Sequence, residues 1–159
     1  MNVIDIEASG LAWDSYPIEI AIVINNKTHC WLIKPETDWT HWDMQAEALH
    51  GISQAQLIDK GKSAKTVAKE INRLTENGNR VLYSDAARWD GGWFTTLFET
   101  VGIEQKAQVL PIQDLMDEDQ FDIFAQTFEK LAESGNYRLH RADSDAEMIY
   151  QSYLVAHGS

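Results

Sequence analysis

The sequence predicts an α/β fold, a mixed five-stranded sheet with its first three strands antiparallel and helices on both faces. Two observations predict it. Strand-like runs come first as a group and then alternate with amphipathic helical runs, an order that builds a mixed sheet covered by helices. Within the first group, Ile18 to Ile24 is nearly all apolar, as a strand buried on both faces must be.

Val3 to Ile6 is the first β-rich run, and Ser9-Gly10 breaks it. Ile18 to Ile24 is the second. Asn25-Asn26-Lys27 makes a tight turn into the third, Thr28 to Ile33, which Pro35 ends. Trp39 to Gly51 reads as irregular or short-helical. Ala64 to Leu74 carries Val67, Ala68, Ile71 and Leu74 at helical spacing, and Asn77-Gly78-Asn79 closes it. Val81 to Tyr83 is the fourth strand. Trp89 to Val101 is a helix with Trp93, Phe94, Leu97, Phe98 and Val101 on one face, capped by Gly102. Gln108 to Ile112 is the fifth strand. Phe121 to Glu133 and Ser144 to Ala156 are the last helices, the second opened by a Ser144–Glu147 capping box. No linker, repeat or low-complexity tract divides the chain, so residues 1–159 are expected to form a single domain.

The composition sets limits on function. At 159 residues and 44% hydrophobic, the chain can bury a real core. No apolar run nears the ~20 residues of a membrane span. Asp5 follows Met1 with no basic stretch between, so neither a membrane association nor a cleaved signal is expected. One cysteine, Cys30, cannot form an internal disulfide, which points to the reducing cytoplasm. The net charge of −12 argues against an extended basic surface for gripping long duplexes. A local metal site would supply positive charge that the formal count lacks.

Acids from three distant segments, with one late histidine, carry the chemistry. Asp5 and Glu7 sit two apart on a strand, so their carboxylates share a face. Alone, this pattern is more often a polar surface than a site. Here Val3, Ile4 and Ile6 flank it, which makes the strand central and the acids mutually repulsive unless cations or protons intervene. Asp90 opens a helix after Val81 to Tyr83, a place the helix dipole favours for any acid. Asp85 is a competing carboxylate in the same loop. Asp145 falls in the first turn of the last helix, with His140 on the loop before it. Four carboxylates and an imidazole are the groups a two-metal phosphodiester hydrolase needs.

Order and context sharpen this. Val3-Ile4-Asp5-Ile6-Glu7-Ala8-Ser9-Gly10-Leu11, Pro17-Ile18-Glu19-Ile20-Ala21, Ala48-Leu49-His50-Gly51-Ile52-Ser53, Tyr83 to Asp90, and His140-Arg141-Ala142-Asp143-Ser144-Asp145-Ala146 together resemble the DEDDh, or DnaQ-like, 3′→5′ exonucleases of the ribonuclease H-like superfamily. The resemblance spans nearly the whole chain. It departs at Ser84-Asp85-Ala86-Ala87, where the family often has His-Asn, and at Trp89, where Phe is usual. It implies a ribonuclease H-like sheet. It also implies that Asp5, Glu7, Asp90 and Asp145 hold two Mg²⁺ or Mn²⁺ ions and that His140 is the general base. The product would be a nucleoside 5′-monophosphate cut from the 3′ end of single-stranded DNA or RNA.

By the same resemblance, the Ala8 backbone and Ser9 side chain lie near the terminal 3′-OH, Leu11 is a base wedge or plain core, and His50 contacts the nucleotide or makes a structural hydrogen bond. Arg88, Arg138 and Arg141 lie near the motifs and are phosphate candidates, ahead of the basic run from Lys60 to Arg73. Trp13, Trp39 and Trp42 flank the expected cleft, where aromatics stack bases or pack into the core; Trp93 belongs to the core. The alternatives are an oligoribonuclease-like finisher of very short RNA, which the acidity suits, and a proofreading or scaffolding subunit bound to a polymerase. A homodimer or another protein partner is compatible with either.

Overall fold

The computed structural model describes residues 1–158. β1 (Val3–Ala8) lies antiparallel to β2 (Pro17–Ile24), which turns into antiparallel β3 (Lys27–Lys34). Ile24 pairs with Lys27 across the turn. Asn25 and Asn26 both take positive φ, 51° and 59°, the left-handed pair that a two-residue hairpin turn requires and that asparagine tolerates. All eight residues of β2 are buried, as its unbroken apolar run demands.

Two helices follow, α1 (Met44–His50) and α2 (Gln54–Lys60), then β4 (Lys62–Ser63) and α3 (Ala64–Leu74). β5 (Val81–Ser84), α4 (Ala87–Val101), β6 (Gln108–Pro111), a 3₁₀ turn (Ile112–Leu115), α5 (Glu118–Glu133) and α6 (Ala142–Ala156) complete the chain. The sheet order is β4-β3-β2-β1-β5-β6, with β5 parallel to β1 and β6 parallel to β5.

The sheet thus has six strands where the sequence predicts five. The extra one, β4, is two exposed polar residues held only by pairing with Ile33 and Lys34. No alternation could announce it. Near Trp39 to Gly51, expected irregular or short-helical, α1 forms. Asp43 accepts the Gln45 N–H at 2.8 Å at its start, and Gly51 ends it at φ 67°. α2 is a further helix that the apolar spacing does not predict; Ser53 caps it by accepting the Gln56 N–H at 3.1 Å.

The start of α6 differs from expectation for a tertiary reason. It begins at Ala142, and no Ser144–Glu147 capping box forms. Glu147 instead accepts from the Thr28 hydroxyl at 2.6 Å, and the Ala142 N–H is satisfied by the Glu19 carboxylate at 3.0 Å. A carboxylate from β2 has replaced the local cap.

Alternation in β1 and β2 divides the core. Ile4, Ile6, Ile20 and Ile22 pack with Val67 and Ile71 of α3 and Phe94 and Leu97 of α4. Val3, Ala21 and Val23 face the other way, onto Phe124 of α5 and Ala146 and Ile149 of α6. Asp5 and Glu7 share the parity of Val3, so they rise on the α6 side. Among the described residues no helix is long and apolar enough to cross a membrane.

Gly61 closes the α2–β4 corner with no room for a side chain. A Cβ there would sit 2.4 Å from the Leu57 carbonyl oxygen and 2.5 Å from the Lys34 nitrogen. Gly61→Ala is expected to cost about 1–3 kcal/mol through backbone displacement, read as a lowered Tm in thermal denaturation.

Candidate active site

β1 and its parallel neighbour β5 end side by side, and open α/β sheets gather ligands at such C-terminal strand edges. The predicted acids converge there. Asp5, Asp85 and Asp90 bring one carboxylate oxygen each within 4.8 Å of one another. Glu7, Asp145 and His140 make a second trio within the same limit. Asp85 and Asp90 thus both lie in the first trio, and proximity does not choose between them. Asp90 is buried in the first turn of α4, where the Ser84 hydroxyl donates to its Oδ2 at 2.5 Å. Ser84 in turn accepts the Ala86 N–H at 2.9 Å, which sets the loop. Asp85 stands at the exposed rim.

Sequence reasoning missed the role of Glu19. It lies directly across β2 from Glu7 and is buried, and like charges so placed repel. Arg141 offsets this: its Nε donates to Oε1 at 3.1 Å and Oε2 at 2.9 Å of Glu19. The Arg141 guanidinium, a phosphate candidate from sequence, is thus committed to a carboxylate. The only sequence signal was the Glu19 in an otherwise apolar strand, which demanded a partner. The brace fixes the start of α6, and with it Asp145 and His140.

His140 occupies the left-handed region at φ 58°, a conformation that costs a non-glycine residue about 1–2 kcal/mol. Its backbone N–H donates to Asp145 Oδ2 at 3.2 Å, leaving the imidazole exposed. Beside it, the register of β1 on β2 shifts between Glu7 and Ala8. Such a bulge re-aims the strand end next to a site.

A cavity of about 230 Å³ opens beside the acids, lined by Glu7, Ala8, Leu11, His50, Trp93 and His140 among others. Leu11 is 67% exposed at its rim and is not core. Buried His50 accepts the Ile52 N–H on Nδ1 at 3.0 Å, which puts the ring proton on Nε2. That Nε2 has no hydrogen-bond partner; the Ala8 carbonyl lies near it but outside bonding geometry. Burial lowers the His50 pKa and keeps the ring neutral. The Ser9 hydroxyl is buried, accepts the Tyr16 N–H at 3.1 Å and pairs with His41 Nδ1 at 3.0 Å, so it braces the loop. Gly10 lets that loop close: at φ 154°, a Cβ on it would stand 2.5 Å from the His41 ring. Arg88 is exposed in a neighbouring groove. Trp39 stacks on Tyr16, and Trp42 donates to Glu47 at 2.6 Å, so both serve packing.

Crowding shows in the protonation of the acids. Burial, reinforced by Asp90, Glu7, Asp145 and Asp85, holds Asp5 well above the usual carboxylate range. Burial with Asp145 and Glu19 nearby pushes Glu7 up to about 7. Asp90 rises to about 8, chiefly by burial, against the pull of the Ser84 hydrogen bond. Asp145 rises to about 6 for the same first reason, the His140 N–H opposing. Acids so placed retain protons until cations replace them. The donor set fits that exchange: it is rich in oxygen, as hard divalent ions require, and Asp145 Oδ1 is buried with no partner.

The profile described as exonuclease matches residues 3–153. The chain belongs to the exonuclease family. The match agrees with the DEDDh motifs in the sequence, and the family relies on divalent metals, which suits the acid cluster. No curated protein sequence matches the chain. Among solved structures, E. coli exonuclease I in complex with a dA16 oligonucleotide superposes with a TM-score of 0.74 at 15% identity, covering 98% of this chain and 40% of that one. Exonuclease I from Methylocaldum szegediense gives 0.72 at 14% identity, over 98% of this chain and 40% of that one. A 3′-exonuclease described in 3′-end specific recognition of histone mRNA stem-loop gives 0.70 at 17%, over 99% and 63%. At these identities the likeness is one of fold. This exonuclease-family chain spans about 40% of the length of the exonuclease I structures it matches.

Two outcomes follow for this family member. Acids with raised folded pKa bind more protons folded than unfolded, so stability falls as pH rises from the unfolded carboxylate range near ~4 through the folded values of about 6, 7 and 8. Thermal unfolding in EDTA should therefore show Tm declining across that window, and millimolar Mg²⁺ or Mn²⁺ should restore it at the alkaline end. Arg141→Ala, which leaves Glu19 buried and opposed to Glu7, should cost about 3–5 kcal/mol in denaturant unfolding, with Glu19→Gln/Arg141→Met recovering most of it.

Proposed function

We propose that this chain is a 3′→5′ exonuclease that hydrolyses the terminal phosphodiester of single-stranded DNA or RNA and releases nucleoside 5′-monophosphates. One observation supports it most. Asp5 and Glu7 of β1 join two trios, three carboxylates in one and two carboxylates with the exposed His140 imidazole in the other, beside a cavity of about 230 Å³.

Asp5, Glu7, Asp90 and Asp145 would hold two divalent ions, Mg²⁺ or Mn²⁺, with Asp85 within reach of one of them. Bound there, such ions activate water, polarise the phosphoryl group and stabilise the leaving oxygen. The protein's own groups do the rest. His140, free in its ring and tethered by its backbone to Asp145, accepts the proton of the attacking water. The unpartnered His50 Nε2–H is a donor for the terminal nucleotide, and a desolvated donor gains most from such a partner. Leu11 at the rim packs on the last base, and the Ala8 backbone lies along the same wall.

In this reading residues 1–159 act as one exonuclease domain. The free thiol of Cys30 suits a reducing cytoplasm. A polymerase or other protein partner would add cationic surface to a chain of net charge −12, whereas a homodimer, equally compatible with the reading, would double that charge. That charge also favours a second reading, an oligoribonuclease-like enzyme for very short RNA, since few phosphates then need neutralising.

A gel time course with 5′-labelled DNA and RNA oligomers, with Mn²⁺ or EDTA, tests the proposal. The expected result is a metal-dependent ladder shortening from the 3′ end. His140→Ala should slow it by about 10²–10⁴, and Asp5→Ala, Glu7→Ala or Asp145→Ala should abolish it. Asp90→Asn should cost more than Asp85→Asn, because Asp90 is buried and fixed whereas Asp85 is exposed. Cleavage of dinucleotides alone would select the second reading; a chain inert on both would leave the binding-subunit role.

A further inference from the structure

The loop between β1 and β2 holds Trp13 almost wholly in solvent, at 97% exposure, and α4 presents Trp89 at 44%. Large indoles so exposed and so close together call for an occupant. Trp89 stacks on Trp93 with ring centroids 5.6 Å apart and planes 27° from parallel. The Trp93 Nε1–H donates to Ser15 Oγ at 2.8 Å, which ties the stack to the loop that carries Trp13. Trp13, Arg88, Trp89, Gly92, Trp93 and Thr96 line one shallow groove. At Gly92 a Cβ would meet nothing within 4 Å, so the groove stays open beside the indoles. Trp93 lines the catalytic cavity as well. Trp93 therefore borders both the groove and the cavity.

We propose that this groove is a stacking shelf for the nucleotides upstream of the scissile bond, which commits the enzyme to single-stranded substrates longer than a dinucleotide. The proposal rests on the exonuclease reading above. Bases offer both π faces only when unpaired, and indoles stack them without regard to sequence. Arg88, beside Trp89, supplies a cation for the phosphate between stacked bases on a chain whose net charge is −12. Stacking then provides the affinity that the charge of the chain denies to the backbone.

The test compares wild type with Trp13→Ala and Trp13→Ala/Trp89→Ala on two substrates. The p-nitrophenyl ester of thymidine 5′-monophosphate fills only the cavity, whereas a 5′-labelled oligothymidylate of about eight nucleotides also reaches the groove. The ratio of kcat/KM for oligomer over ester should fall about tenfold in Trp13→Ala, through KM, and further in the double variant. Arg88→Ala should lower the salt slope of oligomer binding by about one. Anisotropy of the labelled oligomer with Ca²⁺ reads binding apart from chemistry. A wild type that binds but cleaves nothing refutes the exonuclease reading. Equal oligomer affinities for wild type and Trp13→Ala overturn the shelf, and since Trp13 is 97% exposed its loss does not threaten folding. A change of oligomeric state in Trp13→Ala with oligomer affinity unaltered would make the groove a self-association face, and also overturns it.

Discussion

Mutual repulsion among carboxylates is the constraint around which this molecule is arranged. Asp5 sits within reach of Asp85 and Asp90, and Glu7 within reach of Asp145. In a partly desolvated pocket each charge raises the cost of the next, and the upward pKa shifts of Asp5, Glu7, Asp90 and Asp145 are that cost expressed as retained protons. Such a cluster cannot assemble itself. It is held by apolar packing on both faces of the sheet, Ile4 and Ile6 against α3 and α4, Val3 against α5 and α6. The strain is local, and the stability that offsets it is distributed.

Glu19 shows how the scaffold handles charge that the site does not use. A buried ion pair is weak evidence for stability, since desolvation offsets much of the attraction. Its value here is geometric. By accepting from Arg141 and from the Ala142 N–H, Glu19 ties β2 to the first residue of α6. Two residues before it is His140, held at positive φ with its N–H on Asp145. One carboxylate thus anchors the segment that carries both the imidazole and the last acid, while Arg141 offsets part of its repulsion of Glu7.

Under the proposed function, an acidic protein and a polyanionic substrate pose a second electrostatic problem. Most nucleic-acid binders solve it with lysine and arginine, and pay in salt sensitivity. Here the proposed cations would sit at the carboxylates, and exposed apolar side chains near the cavity include Leu11, Trp13, Leu49 and Trp89. Apolar and aromatic contacts suit unpaired bases and discriminate against duplex. The same acidity that argues against a basic grip points toward stacking.

Much of the site was legible in the sequence because its signals are local. Asp5 and Glu7 share a face by strand parity, and Asp145 lies in a helical first turn whichever residue starts that helix. The hairpin at Asn25-Asn26 and the buried strand Ile18 to Ile24 follow from side-chain size and backbone preference alone. What remained open depended on distance in space. Whether Asp85 or Asp90 belonged to the site could not be decided from their spacing; folding brought both into one trio, with Ser84 donating to the buried one. Arg141 looked like a phosphate ligand until β2 placed Glu19 against it, because a partner 122 residues away leaves no local mark. β4 exists only through its neighbour, and the Ser144 cap gave way to a tertiary one. By itself the sequence determined the fold class, through periodicity, and the residue types from which the proposed chemistry is argued, through its motifs. The tertiary structure alone decided which charges meet, since Coulomb energy depends on separation in space and not along the chain.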